Sequence, residues 1–303
     1  MNISPASFSL IQAQMLGSLT NSTSGANSNG SWATLFSFMV SNGSQTGSLS
    51  PELAALFGQS SPINPVGGIN SVSAAGRNPA LADPESAYKM MTVINNDDVL
   101  YKAQFSELSQ MKSAVFQIRD AGQGLGGIAI STGNDEIKSR LQSFVGEYNN
   151  WIQRFNPDLQ KGGLLADTQA ARASRFELEQ NINNRIFGGK DGIHGLSDLG
   201  VAIDPNSHLA SLDTAKLDSI LGTNKQGVVD TMQQFSANFV KSASLLNSDG
   251  NFIPSQLANL NHAIHFIADN KTSLQAEFGT GNAANPTGQV AQALAAYNQT
   301  SSV

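Results

Sequence analysis

The sequence predicts a mainly α fold with one small β-hairpin (α+β), a helical bundle or coiled-coil body behind a disordered Ser/Asn/Gly-rich N-terminus. Three observations predict it. Apolar residues recur in steps of three and four along several segments between 83 and 278, which places them on single helical faces. The period turns extended once, near 199–212. Apart from Glu52 and Arg77, every charged residue lies between 81 and 277, where a folded body needs a solvated face.

Composition narrows the function classes before any motif is read. The 303 residues carry 17 Lys and Arg against 23 Asp and Glu, a net charge of -6 that offers no basic surface to a phosphate backbone. Charged residues make up 13% of the chain, roughly half of the ~25% usual in soluble domains. Ser, Asn, Gln, Thr and 28 Gly take their place. The absence of cysteine excludes disulfides, thiolate metal sites and cysteine nucleophiles.

Residues 1–82 read as a low-complexity leader, disordered on composition, with docking helices in its apolar patches Phe8–Leu19, Trp32–Val40 and Leu53–Phe57 as the alternative. Trp32–Val40 is far short of the ~20 apolar residues that span a bilayer, so no membrane span is expected. No Lys or Arg precedes it, and no cleavable signal peptide is formed. The body, 83–278, opens at Asp83-Pro84-Glu85, an N-cap followed by proline at the first helical position. Tyr101, Phe105, Leu108, Met111, Val115 and Ile118 then mark one face of a helix that Gly122 to Gly127, in the Gly-rich junction 121–133, is expected to stop.

A second helix runs from Asn134-Asp135 through Ile137, Leu141, Phe144, Tyr148, Ile152 and Phe155, and Asn156-Pro157 is expected to end it. A third starts at the cap candidate Asp167 and carries Leu178, Ile182 and Ile186 up to Gly188-Gly189. Leu199–Asp204 and Leu209–Leu212 flank Pro205-Asn206-Ser207-His208 as a hairpin in which Asn206 can take the left-handed conformation. Asp213 caps a short helix through Leu217 and Leu221, and Val228, Met232, Phe235, Phe239 and Leu246 line a longer one. After the turn Asn247-Ser248-Asp249-Gly250 comes a helix with Leu257, Leu260, Ile264, Ile267, Lys271, Leu274 and Phe278 in alternating steps of three and four. Residues 279–303 read as a flexible tail with a short Ala-rich turn through Leu294 and Tyr297.

Candidate chemistry is thin. Gly122-Gln123-Gly124-Leu125-Gly126-Gly127 satisfies G-x-G-x-x-G but follows a helix and not a strand, so it reads as a helix stop. His262 and His265 sit one helical turn apart with no carboxylate at matching spacing, so no metal is expected there. The acid pairs Asp97-Asp98 and Asp135-Glu136 read as structural, since neighbours on a helix point apart and helix-start acids complement the dipole. Asp249-Gly250 lacks the ligand series of a calcium loop. No nucleophile–base pair stands in a recognisable context, and no catalytic residue or cofactor is assigned.

Four elements in order carry a resemblance. Tyr101-Lys102-Ala103-Gln104-Phe105-Ser106 through Leu108 and Lys112-Ser113-Ala114 resembles the N-terminal helical segment of the bacterial flagellar filament cap family, hook-associated protein 2. Ile137-Lys138 through Leu141, Phe144-Val145 and Tyr148-Asn149 is similar to the helix that opens that family's C-terminal region. Gly163-Leu164-Leu165-Ala166-Asp167-Thr168 with Arg172 resembles its G-x-L-x-G-D-S-x-x-R element, with Ala166 in place of a glycine. Leu199-Gly200-Val201, Leu209, Leu212-Asp213 and Lys216-Leu217 resemble its hairpin and cap, with Asn206-Ser207 where the family has an Asp-Gly type turn, and Val228-Val229 and Phe235 fit the helix that follows. The resemblance covers roughly 95–120 and 134–240. Large head domains separate the two regions in the family, and here only Gly122–Gly133 does, so the chain looks like a headless, minimal member.

The resemblance implies export through the flagellar type III apparatus, an extracellular place on the flagellum, a ring of identical subunits, and flagellin or other axial proteins as partners. The residues expected to bring helices together in assembly are Tyr101, Phe105, Leu108, Val115 and Ile118 with Leu257, Leu260, Ile264, Ile267, Leu274 and Phe278. A second reading is a non-enzymatic soluble binding or regulatory protein that uses the same body as a monomer.

Overall fold

The computed structural model describes residues 75–186 and 192–301. The expected leader falls outside them as far as residue 74, its three apolar patches included, and so does Gly188-Gly189. The described chain is mainly α with one two-stranded antiparallel sheet, as its periodicities predict.

Helix α1, Pro84–Gly126, is the long element, and at 1.5 Å per residue its 43 residues reach about 64 Å. Asp83 caps it by accepting from Ser86 N at 3.1 Å. It ends within the expected Gly122–Gly127 stop, passing through Gly122 and Gly124 to reach Gly126 with Gly127 at the cap. A Cβ on Gly122 would lie 2.6 Å from Phe239 Cδ1, and one on Gly126 would lie 2.8 Å from Ser236 Oγ. Both glycines admit a neighbouring helix, Gly122 inside its own and Gly126 at its end.

Residues 127–133 turn the chain into α2, Asn134–Leu159, which takes its proline inside the last turns and ends two residues later than Pro157. Proline there forfeits one backbone bond near an end where bonds are already being lost. Helix α3, Gln169–Asn183, is preceded by Thr168 and not by Asp167 at the cap, and Ile186 is buried beyond its end. Strands β1, Val201–Ile203, and β2, Ala210–Leu212, pair with Ala202 opposite Ser211.

The left-handed residue of that hairpin is His208, at φ 59°, and not Asn206. Asp204 explains the shift. Its Oδ1 accepts from the N–H groups of Asn206 and Ser207 at 3.0 and 2.7 Å and from Ser207 Oγ at 2.9 Å, which fixes the first half of the loop in an Asx turn. The sense of the chain must then be restored at His208.

Asp213 caps α4, Thr214–Thr223, and Asn224 caps α5, Lys225–Leu246. Helix α6 spans Phe252–Phe278 and ends at Gly279, φ 87°. Helices α5 and α6 lie one after the other along α1 and antiparallel to it. Phe239 sits on Gly122, Asn247 Nδ2 donates to Lys112 O at 3.0 Å, and beyond the start of α1 Asn78 Nδ2 donates to Ala276 O and Glu277 O, each at 3.0 Å. Asn78 is 1% exposed, so the folded body begins ahead of the expected boundary at 83.

The segment after Phe278, expected to be a flexible tail, is folded. Asn95 Nδ2 donates to Thr280 O and Asn282 O at 3.0 and 2.8 Å, and helix α7, Gly288–Ser301, follows. Ala293 is buried with Ala103 and Leu164, and Tyr297 stands edge-on to Phe105 at 5.9 Å. Val290, Ala293, Leu294 and Tyr297 form a helical stripe that a composition rich in Ala, Gly and Asn conceals.

The core sits where α1, α2 and α5 meet. Phe144 stands edge-on to both Phe235 and Phe239, at 5.2 and 5.0 Å. Tyr148, Trp151 and Phe155 continue it along α2.

Candidate functional site

The expected assembly residues are brought together, but within one chain. Leu108, Val115 and Ile118 of α1 are buried, and so are Leu260, Ile264, Ile267 and Leu274 of α6. Tyr101, Phe105, Leu257 and Phe278 are half-buried. These stripes hold the body closed. Lys271, the one polar step of the α6 stripe, faces outward. His262 and His265 are exposed, and among the described residues no group of three or more metal-ligating side chains forms. No described helix is long and apolar enough to cross a membrane.

Two places combine chemistry with shape. The first is the hairpin brace. Asn149 of α2 donates from Nδ2 to Ala210 O at 2.8 Å and accepts Ala210 N at Oδ1 at 2.7 Å, pairing with the outer edge of β2 as another strand would. Beside it Tyr148 Oη donates to His208 O at 2.9 Å, and His208 Nδ1 lies 2.9 Å from Glu179 Oε1 of α3. Burial pushes the Tyr148 phenol up, so it stays a donor.

The second is a groove of about 320 Å³ between α1 and α2. Ala114, Trp151 and Phe155 line it together with polar Gln110, Glu147 and Arg154. At one end Arg154 reaches Glu107 Oε2 at 2.6 Å, Gln110 Oε1 at 2.9 Å and Asp158 Oδ2 at 3.4 Å. Glu107 and Asp158 are buried, and burial pushes both carboxyls up while Arg154 draws them down. Two buried acids thus share one cation, and its charge is spent on them. Further along α1, burial pushes Asp97 up to about 6 and, with Asp97 beside it, raises Tyr101.

Sequence reasoning placed Tyr148 on the apolar face of α2, marked Asn149 and Arg172 only through the family resemblance, and missed the groove. Its lining residues come from two helices and lie thirty or more positions apart across the turn, which no spacing rule connects. The one legible signal was the run of uncharged polar residues beside Trp151.

Comparison with known proteins agrees with the order of elements. The family model described as Flagellar hook-associated protein 2 C-terminus matches residues 114–284, more than half of the chain. The match takes in the groove end of α1, the whole of α2 through α6 and the Gly-rich junction; most of the resemblance quoted along Tyr101–Ala114 lies ahead of it. No curated protein and no solved structure matches the chain. On the family model, this chain belongs to the flagellar hook-associated protein 2 C-terminal family.

Proposed function

We propose that the protein is a structural assembly component of the bacterial flagellum that works as a filament cap does, promoting the addition of flagellin at the filament tip. The family match over 114–284 carries the reading. In this reading the protein works outside the cell, is exported without a cleaved signal, and stands among copies of itself and other axial proteins. Residues 127–133 alone join α1 to α2, so guidance of flagellin falls to the helical body and not to an inserted head. No cofactor enters this role.

The experiment is to add the purified chain, tagged for gold labelling, to growing flagellin filaments and image the ends. Label at one end of the filaments with faster elongation is the expected result. Label distributed at random with unchanged elongation would remove the reading.

One observation favours a second reading, a non-enzymatic binding or regulatory protein acting as a monomer. The apolar faces of α1 and α6 are already buried within one chain. Native mass measurement across concentration separates the two, since a species that stays monomeric beside flagellin belongs to the second.

A further inference from the structure

Helix α3 carries an outward stripe of Gln169, Arg172, Phe176, Gln180 and Asn183, in steps of three and four and exposed throughout. Phe176 is 58% exposed, more than any other large hydrophobic residue described. A phenyl ring left in water forgoes the free energy that its burial would contribute. One turn before it, the Arg172 guanidinium is exposed, and among the described residues it has no side-chain hydrogen bond or ion pair.

The groove between α1 and α2 offers the complementary set. Trp151 and Phe155, 2% and 1% exposed, lie beneath it, and Ala114 with Gln110 and Gln117 forms the accessible lining that a ring would meet. Glu147 at its edge is half-buried and likewise has no hydrogen bond or ion pair among the described residues, whereas Arg154 is already neutralised by Glu107 and Asp158. An unpaired acid at the edge of a groove matches an unpaired base beside an exposed ring.

The spacings match too. Along α2 the order is Glu147, Trp151, Arg154; along α3 it is Arg172, Phe176, Gln180. At 1.5 Å per residue, four residues separate the charge from the ring by about 6 Å on each helix. With Arg172 opposite Glu147, Phe176 stands over Trp151 and the Gln180 amide lies beside Arg154.

We infer that α3 of one copy docks in the α1/α2 groove of the next, with Phe176 as the anchor and Arg172–Glu147 as the ion pair that sets its register. The inference rests on the assembly reading for the partner being a second copy. The two surfaces differ, so the contact is heterologous and repeats head to tail, closing into a ring where the rotation allows. Arg and aromatic residues are the usual anchors of such contacts. A 15-residue helix in a groove covers less than the ~800 Å² per partner of a standard interface, so each contact is weak and ring closure adds the rest.

The chain has no cysteine, which makes the test direct. Gln110→Cys and Gln180→Cys variants mixed under mild oxidation are expected to give a disulfide-linked heterodimer, in excess over either variant alone. Phe176→Asp removes an exposed ring, so helix content by circular dichroism should hold while self-association weakens about tenfold or more. Glu147→Arg and Arg172→Glu should each weaken association, and the double variant should restore it. Copies that associate regardless of all three changes would overturn this interface and leave the assembly reading standing. A chain that stays monomeric alone and beside flagellin overturns both.

Discussion

Asn149 shows how one side chain can replace a strand. The two-stranded sheet has an outer edge at Ala210, whose N–H and C=O would face α2 unpaired if Asn149 did not take both. Replacing it with alanine leaves a backbone donor and acceptor without partners in a part-buried place, and the expected cost is about 1–3 kcal/mol. Urea denaturation of Asn149→Ala measures it, and faster hydrogen exchange at Ala210 locates it. An unchanged midpoint would mean that water takes over both bonds and that the brace contributes nothing. The residues concerned lie 61 apart, which is why the pattern of the hairpin was legible from its alternation while its support was not. The same holds for His208, whose left-handed backbone follows from Asp204 taking the earlier loop N–H groups, a competition invisible in a list of turn propensities.

Among elements, α1 separates what glycine does from what it usually signals. Gly122 and Gly124 are two residues apart in the same helix, yet Gly122 lies under Phe239 whereas nothing comes within 4 Å of a Cβ on Gly124. Gly122→Ala should therefore destabilise the body by about 1–3 kcal/mol, because the α1–α5 approach must open. Gly124→Ala should be neutral or stabilise by up to about 1 kcal/mol, because alanine in a helix interior costs less entropy than glycine. Thermal denaturation of the two variants compares them, and a Gly122→Ala variant as stable as Gly124→Ala would show that α5 does not need the missing side chain. Apolar periodicity correctly placed α1, α2, α5 and α6, because their stripes are long and each faces one partner. It bracketed the end of α1 within Gly122–Gly127 without fixing the residue, since a glycine under a neighbouring ring and a glycine at a helix stop are the same letter. It also missed α7, whose stripe rests on a small cluster around Ala103 and Leu164 instead of the main core.

For the molecule as a whole, several carboxyls are held above their ordinary range by burial: Asp97, at about 6, with Glu107, Asp158 and Glu277. A raised acid binds its proton more tightly folded than unfolded, so its stabilising contribution is complete below the ordinary carboxylate range and is lost as pH rises through the raised value. The body should accordingly resist urea better near pH 5 than at pH 7.5, with the loss for Asp97 running from the ordinary carboxylate range up to about 6 and levelling off above it. Asp97→Asn should shrink that difference. A wild-type midpoint that is flat or rises from pH 5 to 7.5 would show that these acids are better solvated than their placement suggests. Asp83, Glu85 and Asp204 are held low by hydrogen bonds, and their contribution is lost only at more acid pH.

The long helix α1 touches α2, α5, α6 and α7 directly, and so serves as a keel to which the other members are fastened side by side. A push delivered at one tip travels about 64 Å to the other through continuous backbone hydrogen bonds, crossing no loop on the way. Slackening any single rib therefore leaves the stiffness of the hull to the others.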